Sequence, residues 1–277
     1  MTRPLSSRLL LCAALSLLLL SGCGSGFSPT NTGPGGTYLS LNGNWEIPGI
    51  GSPIGTVALP ISNFTGALQS NGANVTGTFH SEDFNLQDIL SLNPCVTLNQ
   101  DLPVTGTLDI SGNLTLTVLI SGGTATIKIP LNANLQFSGI GSYVINGGRC
   151  AMAQVSAEAS QFVPIAGTYV GTLTPSGSSS TTTVTAMLTQ STTPDADGLF
   201  ALAGTVQASG AACTGSFTFS GGAVTGNEIN LITEAGYQSS NGSLIAAVSP
   251  DATQVMSIDT GINGTGCSAL KGTLTRQ

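Results

Sequence analysis

The stretch Leu114-Thr115-Leu116-Thr117-Val118-Leu119-Ile120-Ser121-Gly122-Gly123-Thr124-Ala125-Thr126-Ile127-Lys128-Ile129 decides the fold class. Leu114, Leu116, Val118 and Ile120 keep to one phase of a period of two, and Thr115, Thr117 and Leu119 keep to the other. Beyond Gly122-Gly123 the alternation resumes, with Ala125, Ile127 and Ile129 against Thr126 and Lys128. Successive side chains of an extended chain point to opposite faces, so each run reads as a strand with one buried face. A glycine pair between such runs supplies the positive φ of a tight hairpin. Phe217 and Phe219, alternating with Ser216, Thr218 and Ser220, repeat the pattern later. Asn71-Gly72, Gly112-Asn113, Gly221-Gly222 and Asn241-Gly242 read as further hairpin points. The count is seven or eight strands in each half of the chain. The class is therefore all-β: two tandem antiparallel meanders, closed as small barrels or folded as sandwiches.

The tandem arrangement follows from a repeat. Cys95 to Cys150 spans 55 positions and Cys213 to Cys267 spans 54. Ile145-Asn146-Gly147-Gly148-Arg149-Cys150 parallels Ile262-Asn263-Gly264-Thr265-Gly266-Cys267. Thr105-Gly106-Thr107-Leu108, followed by Ser111-Gly112, parallels Thr214-Gly215-Ser216-Phe217, followed by Ser220-Gly221. Val75-Thr76-Gly77-Thr78-Phe79 parallels Leu202-Ala203-Gly204-Thr205-Val206, and Gly43-Asn44-Trp45 parallels Gly167-Thr168-Tyr169. The order is the same in both halves. Of the six cysteines, Cys12 and Cys23 lie near the N-terminus; the other four suggest disulfides if the chain is exported, and of the three pairings the equal spacing favours Cys95–Cys150 and Cys213–Cys267. Each such bridge would contribute roughly 4 kcal/mol in the chain-entropy model.

The halves differ in one place. Phe79 to Thr105 is 26 positions, whereas Val206 to Thr214 is 8. In the extra segment Ser81 suits a helix cap, Glu82 and Asp83 suit its positive end, and Pro94 bars continuation. Phe84, Ile89, Leu90 and Leu92 would form its apolar face, plugging an open barrel end or covering a ligand pocket as a lid.

The first residues tell where the chain goes. Arg3 and Arg8 precede the apolar run Leu9 to Leu20, then come Ser21, Gly22 and Cys23. The run is shorter than the roughly 20 residues of a spanning helix, and its charged start and small residues before the cut mark an export signal. This segment resembles the signal peptide of a bacterial lipoprotein, with a lipobox cut before its cysteine. The resemblance covers residues 1–23. It implies that Cys23 becomes the mature N-terminus and carries acyl chains; the alternative is a secreted form without lipid. Gly24, where an inner-membrane lipoprotein of a diderm bacterium usually has Asp, implies the outer membrane. Residues 24–37, rich in Gly, Pro, Ser and Thr, read as a flexible tether of about 20 Å reach. The opening Gly43-Asn44-Trp45 and the eight-strand count are similar to small lipocalin-type barrels.

Charge excludes several functions. Loss of Arg3 and Arg8 leaves Lys128, Arg149, Lys271 and Arg276 against 13 acidic residues, a formal −9 (4 − 13). No cluster of cations is left for nucleic acid or for anionic head groups, so membrane attachment falls to the acyl chains. Nor is the chain disordered by composition, because it is apolar and carries little charge.

Catalytic signals are sparse. His80 is the only histidine; beside Glu82 and Asp83 it reads as solvated rather than as a metal ligand. No Gly-x-Ser-x-Gly elbow, phosphate-cradling loop or dinucleotide fingerprint occurs. The cysteines show no Cys-x-x-Cys spacing for a metal. Asp83 with Asp88, or Glu228 with Glu234, would serve a hydrolase only if both faced one cleft. Asp195-Ala196-Asp197-Gly198 shares part of a calcium loop but lacks its remaining ligands, so it reads as a hairpin turn after Pro194. Asn63, Asn74, Asn113, Asn241 and Asn263 fit the Asn-x-Ser/Thr pattern, which carries no weight in a bacterial chain.

The resulting division is a signal peptide over 1–22, lipidated Cys23 and tether over 23–38, and β-domains over 39–160 and 161–277. Residues 160–165 form the junction, and residues 176–183 a hairpin tip. The expected role is a non-catalytic lipoprotein of the cell envelope, binding a small apolar ligand or a protein partner, with no cofactor. A structural or adhesive component and a hydrolase using acidic residues are the alternatives. Trp45 and Tyr169, matched in the repeat, and Phe84 are candidates for ligand contact, although the matched aromatics read first as core anchors.

Overall fold

The structure, a computed structural model, describes residues 30–33, 36–50, 63–80, 100–120, 122–132, 138–147, 154–233, 243–262, 267–268 and 270–277. Every element among them is a strand. A ribbon of β1 (Thr30–Gly33) and β2 (Gly36–Leu39) comes first. The first barrel follows: β3 (Gly43–Ile50), β4 (Asn63–Asn71), β5 (Asn74–His80), β6 (Asp101–Leu108), β7 (Asn113–Ile120), β8 (Gly123–Pro130), β9 (Gly139–Gly147) and β10 (Gln154–Phe162). Each pairs antiparallel with the next, and β10 returns to β3, closing the ring. The second set is β11 (Gly167–Pro175), β12 (Thr182–Gln190), β13 (Phe200–Gly210), β14 (Gly215–Thr225), β15 (Glu228–Thr233), β16 (Ser243–Val248), β17 (Gln254–Ile262), the short β18 (Cys267–Ser268) and β19 (Leu270–Arg276). It closes through β16–β17, β17–β19 and β11–β19, with β18 hanging on the end of β17. Both domains are thus eight-stranded closed barrels, the first of the two architectures left open by the sequence.

Alternation explains the closure. On β7, Leu114, Leu116, Val118 and Ile120 are buried; on β12, Thr182, Val184, Ala186 and Leu188 are. Eight strands leave an interior that side chains can fill. Trp45, Phe64, Phe79 and Tyr143 fill the first, Phe79 against Phe64 at 6.1 Å and Tyr143 edge-on to Phe64 at 5.8 Å. Tyr169, Leu173, Phe219 and Leu231 fill the second.

The repeat holds strand by strand. Trp45 and Tyr169 lie on the first strand of their barrels, Gly77 and Gly204 on the third, Gly106 and Gly215 on the fourth, Ile145 and Ile262 on the seventh. A Cβ on Gly77 would press into the Ala67 carbonyl and reach Leu68 Cδ2 at 3.0 Å; one on Gly204 would press into the Met187 carbonyl and reach Leu188 Cδ2 at 3.0 Å. The residue four positions earlier plugs the same end of each barrel: Leu41 before Trp45, Ile165 before Tyr169, both buried.

Three expectations change. Gly221-Gly222 is no hairpin: it lies inside β14 at a register shift, and the chain turns at Gly226, where φ is 53°. In the segment read as a tether, residues 30–33 and 36–39 pair as a ribbon, and Tyr38 beyond Thr37 is buried in the first core. The second domain begins slightly later than 161, because β10 runs on to Phe162. The hairpins at Asn71-Gly72, Gly112-Asn113 and Gly122-Gly123 are present, with φ of 60°, 88° and 80° at Gly72, Gly112 and Gly122. Asn241-Gly242 and the helix expected over 81–93 lie outside the described residues.

Candidate functional site: the cleft between the barrels

The outer wall of the first barrel meets one end of the second. On β4, Phe64 and Leu68 face inward, yet the outward Thr65 and Ala67 are buried too, because the second barrel covers them. The β14–β15 turn docks there. Asn44 Nδ2 donates to the Gly226 carbonyl at 2.7 Å, and Gly226 N–H donates to Asn44 Oδ1 at 2.6 Å. One buried side-chain amide thus satisfies both backbone groups of the turn. The β12–β13 loop docks beside it. Asp195 accepts the N–H groups of Asp197 and Leu199, shaping a turn that presses Gly198 (φ 82°) onto the Thr78 carbonyl. Asp195-Ala196-Asp197-Gly198 is accordingly the turn expected after Pro194.

Ionisable groups gather at this contact. Burial pushes the Glu46 carboxyl above its ordinary value of 4.5, against hydrogen bonds from the Asn63 side chain and the Asn227 backbone; Glu158 pushes it further up. Asn63 Nδ2 reaches Glu46 Oε1 at 3.1 Å. His80 Nδ1 lies 2.8 Å from Asp101 Oδ1. The Asp101 charge raises the Asp197 carboxyl on the facing loop. Among the described residues no three metal-ligating side chains come together with room for a metal ion.

Alongside the contact the barrels leave a cleft of about 730 Å³, within the usual size of small-molecule sites. One wall is the β4–β5 hairpin. Its outward residues stand in direct register, Gln69 opposite Thr76 and Asn71 opposite Asn74, and all four are exposed. The other wall is the start of the β12–β13 loop with Gln190, Thr192 and Thr193. Leu68, Phe162 and Phe200 lie beneath the walls, all buried. No described residue lining it is ionisable.

The residues singled out by sequence lie elsewhere. Trp45 and Tyr169 are fully buried. Trp45 Nε1 donates to the Leu41 carbonyl at 2.7 Å, and the Tyr169 hydroxyl donates to the Ala252 carbonyl at 2.9 Å. Their polar ends are spent on the chain segments that plug each barrel, so they anchor cores rather than reach a ligand. Cys213 is buried and disulfide-bonded. Cys267 opens β18. Cys23, Phe84, Cys95 and Cys150 lie outside the described residues. Nothing in the sequence marks Gln69, Asn71, Asn74 and Thr76 for ligand contact (Asn71 reads as a turn residue, Asn74 as part of an Asn-x-Thr tripeptide, Thr76 as part of the repeat), because polar side chains at outward strand positions look the same whether they face water or a cleft. Compared with protein-family models, curated proteins and solved structures, the chain matches none, so its function is argued from this geometry.

Proposed function

We propose that the chain is an exported, lipid-anchored protein of the bacterial cell envelope that binds rather than catalyses, and that its ligand enters the cleft between the barrels. The observation that supports this is the location of free space. Both barrels are packed with their own side chains, whereas the cleft lies open between them. Among the described residues the barrel interiors are filled by core side chains, so the apolar ligand expected from the sequence is better placed outside them. A hydrolase finds no support there, since no described lining residue can act as acid or base. The lipid anchor rests on Leu20-Ser21-Gly22-Cys23, the outer membrane on Gly24, and the pairings Cys95–Cys150 and Cys213–Cys267 on their spacing. In each barrel, the connections that hold the two cysteines leave from the same end, as the strand order requires.

One observation favours the structural or adhesive reading. Thr76, Thr105, Thr117 and Thr126 stand in direct register across four strands on the outer wall. Against it, the closed barrels offer no strand edge for assembly, which leaves only short open edges among the described residues, such as the four-residue strands of the β1–β2 ribbon.

Mass spectrometry of the chain expressed in a diderm bacterium tests the proposal. The expected mass begins at Cys23, carries acyl chains and lacks about four hydrogens for two bridges. Cys23→Ser moves the chain out of the membrane fraction. Native conditions retain a small-molecule adduct. A chain still bearing residues 1–22, or a Cys23→Ser variant that stays with the membrane, would overturn the anchor.

A further inference from the structure

Building on the cleft as the binding site, we infer that its ligand is a neutral, hydroxyl-rich carbohydrate of two or three sugar units. The first ground is charge. A uronate, phosphate or ammonium group entering a partly enclosed cleft loses water and needs an opposite charge in return. None of the described lining residues supplies one.

The second ground is the type of polar group. Each sugar hydroxyl both donates and accepts, so it is best met by side chains that do both. Amides and hydroxyls meet that need, and they make up the walls: Gln69, Asn71, Asn74 and Thr76 on one side, Gln190 and Thr192 on the other. The first four and Thr192 make no side-chain hydrogen bond among the described residues. Gln190 uses only its carbonyl oxygen, which accepts from Ile165 N–H at 2.8 Å. The direct register of Gln69 with Thr76 and of Asn71 with Asn74 brings each facing pair within about 5 Å between Cβ atoms. Two groups so placed can hold neighbouring hydroxyls of one ring.

The third ground separates carbohydrate from peptide. An extended peptide gains its affinity by adding a strand to a sheet edge. Both barrels are closed, so the walls offer side chains and no row of free backbone groups. Leu68, Phe162 and Phe200 beneath the walls are buried, so the cleft has no open apolar trough for an acyl chain.

The test is calorimetric titration of the full chain in detergent. Maltotriose, cellotriose and chitotriose are the neutral probes. Trigalacturonate, decanol and a blocked uncharged hexapeptide are the contrasts. The expected result is binding of at least one neutral trisaccharide, with every contrast about tenfold weaker or more. Asn71→Ala with Asn74→Ala should weaken that binding about tenfold, with an unchanged Tm, because both side chains are exposed. Thr117→Ala, exposed outside the cleft, should leave it unchanged. If a contrast binds best and the Asn71/Asn74 variant weakens it, the ligand class is wrong while the cleft stands as the site. If no probe binds, or binding ignores both that variant and a cleft-filling Thr193→Trp, the cleft reading falls with the class.

Discussion

Asn44 gives its carboxamide to both backbone groups of Gly226, so one side chain of the first barrel clamps the β14–β15 turn of the second. Removing it strands a buried N–H and a buried carbonyl, each costing about 1–3 kcal/mol. Asn44→Ala should therefore destabilise the protein by about 2 kcal/mol or more in urea titration; a change under about 0.5 kcal/mol would mean the clamp carries nothing. Gly226→Ala attacks the same contact from the other side. Its φ is 53°, and its new Cβ would meet Thr65 Cγ2 at 2.8 Å. Nearby, Glu46 makes the contact sensitive to pH. Its folded value is raised above 4.5 by burial, so its contribution is fully present below 4.5 and is lost as pH rises through the folded value. Asp109 and Asp251 act oppositely. Hydrogen bonds, first from the Asn113 and Ser249 side chains respectively, hold them below 3.8, and what they add is lost only as pH falls through those depressed values. Calorimetry should show a higher Tm at pH 4.5 than at pH 7. A lower Tm at 4.5 would show that Glu46 does not control the contact.

The glycines of the third strands test the repeat at the scale of elements. Gly77 on β5 and Gly204 on β13 sit where a neighbouring carbonyl and a leucine methyl occupy the space of a side chain. Gly77→Val and Gly204→Val should each cost about 3 kcal/mol by forcing strands apart. Unequal effects, one severe and one negligible, would show that the two barrels are not built alike. The strands themselves were legible because burial imposes a period of two on every chain that forms a half-buried sheet. Turn positions were less so. Gly122-Gly123 joins two strands, whereas Gly221-Gly222 makes a bulge within one. Gly122 takes a positive φ of 80° in its turn, whereas Gly221 and Gly222 do not, and only the partner strand decides which of the two the chain makes. The same limit hid the binding walls: Gln69 and Asn71 alternate like any solvated face, and what distinguishes them is the second barrel opposite.

At the scale of the whole molecule, the claim is that two filled barrels act as one body with a site between them. The buried clamp, the covered outer face of β4 and the seated Gly198 couple their stabilities. Calorimetry should show one unfolding transition, which Asn44→Ala splits into two; two separate transitions in the unaltered chain would deny the coupling. Reduction of disulfides should lower Tm without opening the cleft, because the cysteine-bearing connections leave from one end of each barrel while the second barrel docks by its other end. The most direct measurement is to follow backbone amide NMR shifts of the full chain during titration with the neutral trisaccharides. The account predicts shifts concentrated in residues 69–76 and 190–193, with the core amides of Leu116, Ile127 and Leu188 unmoved. Shifts centred on those core amides, or none in either wall of the cleft, would contradict it.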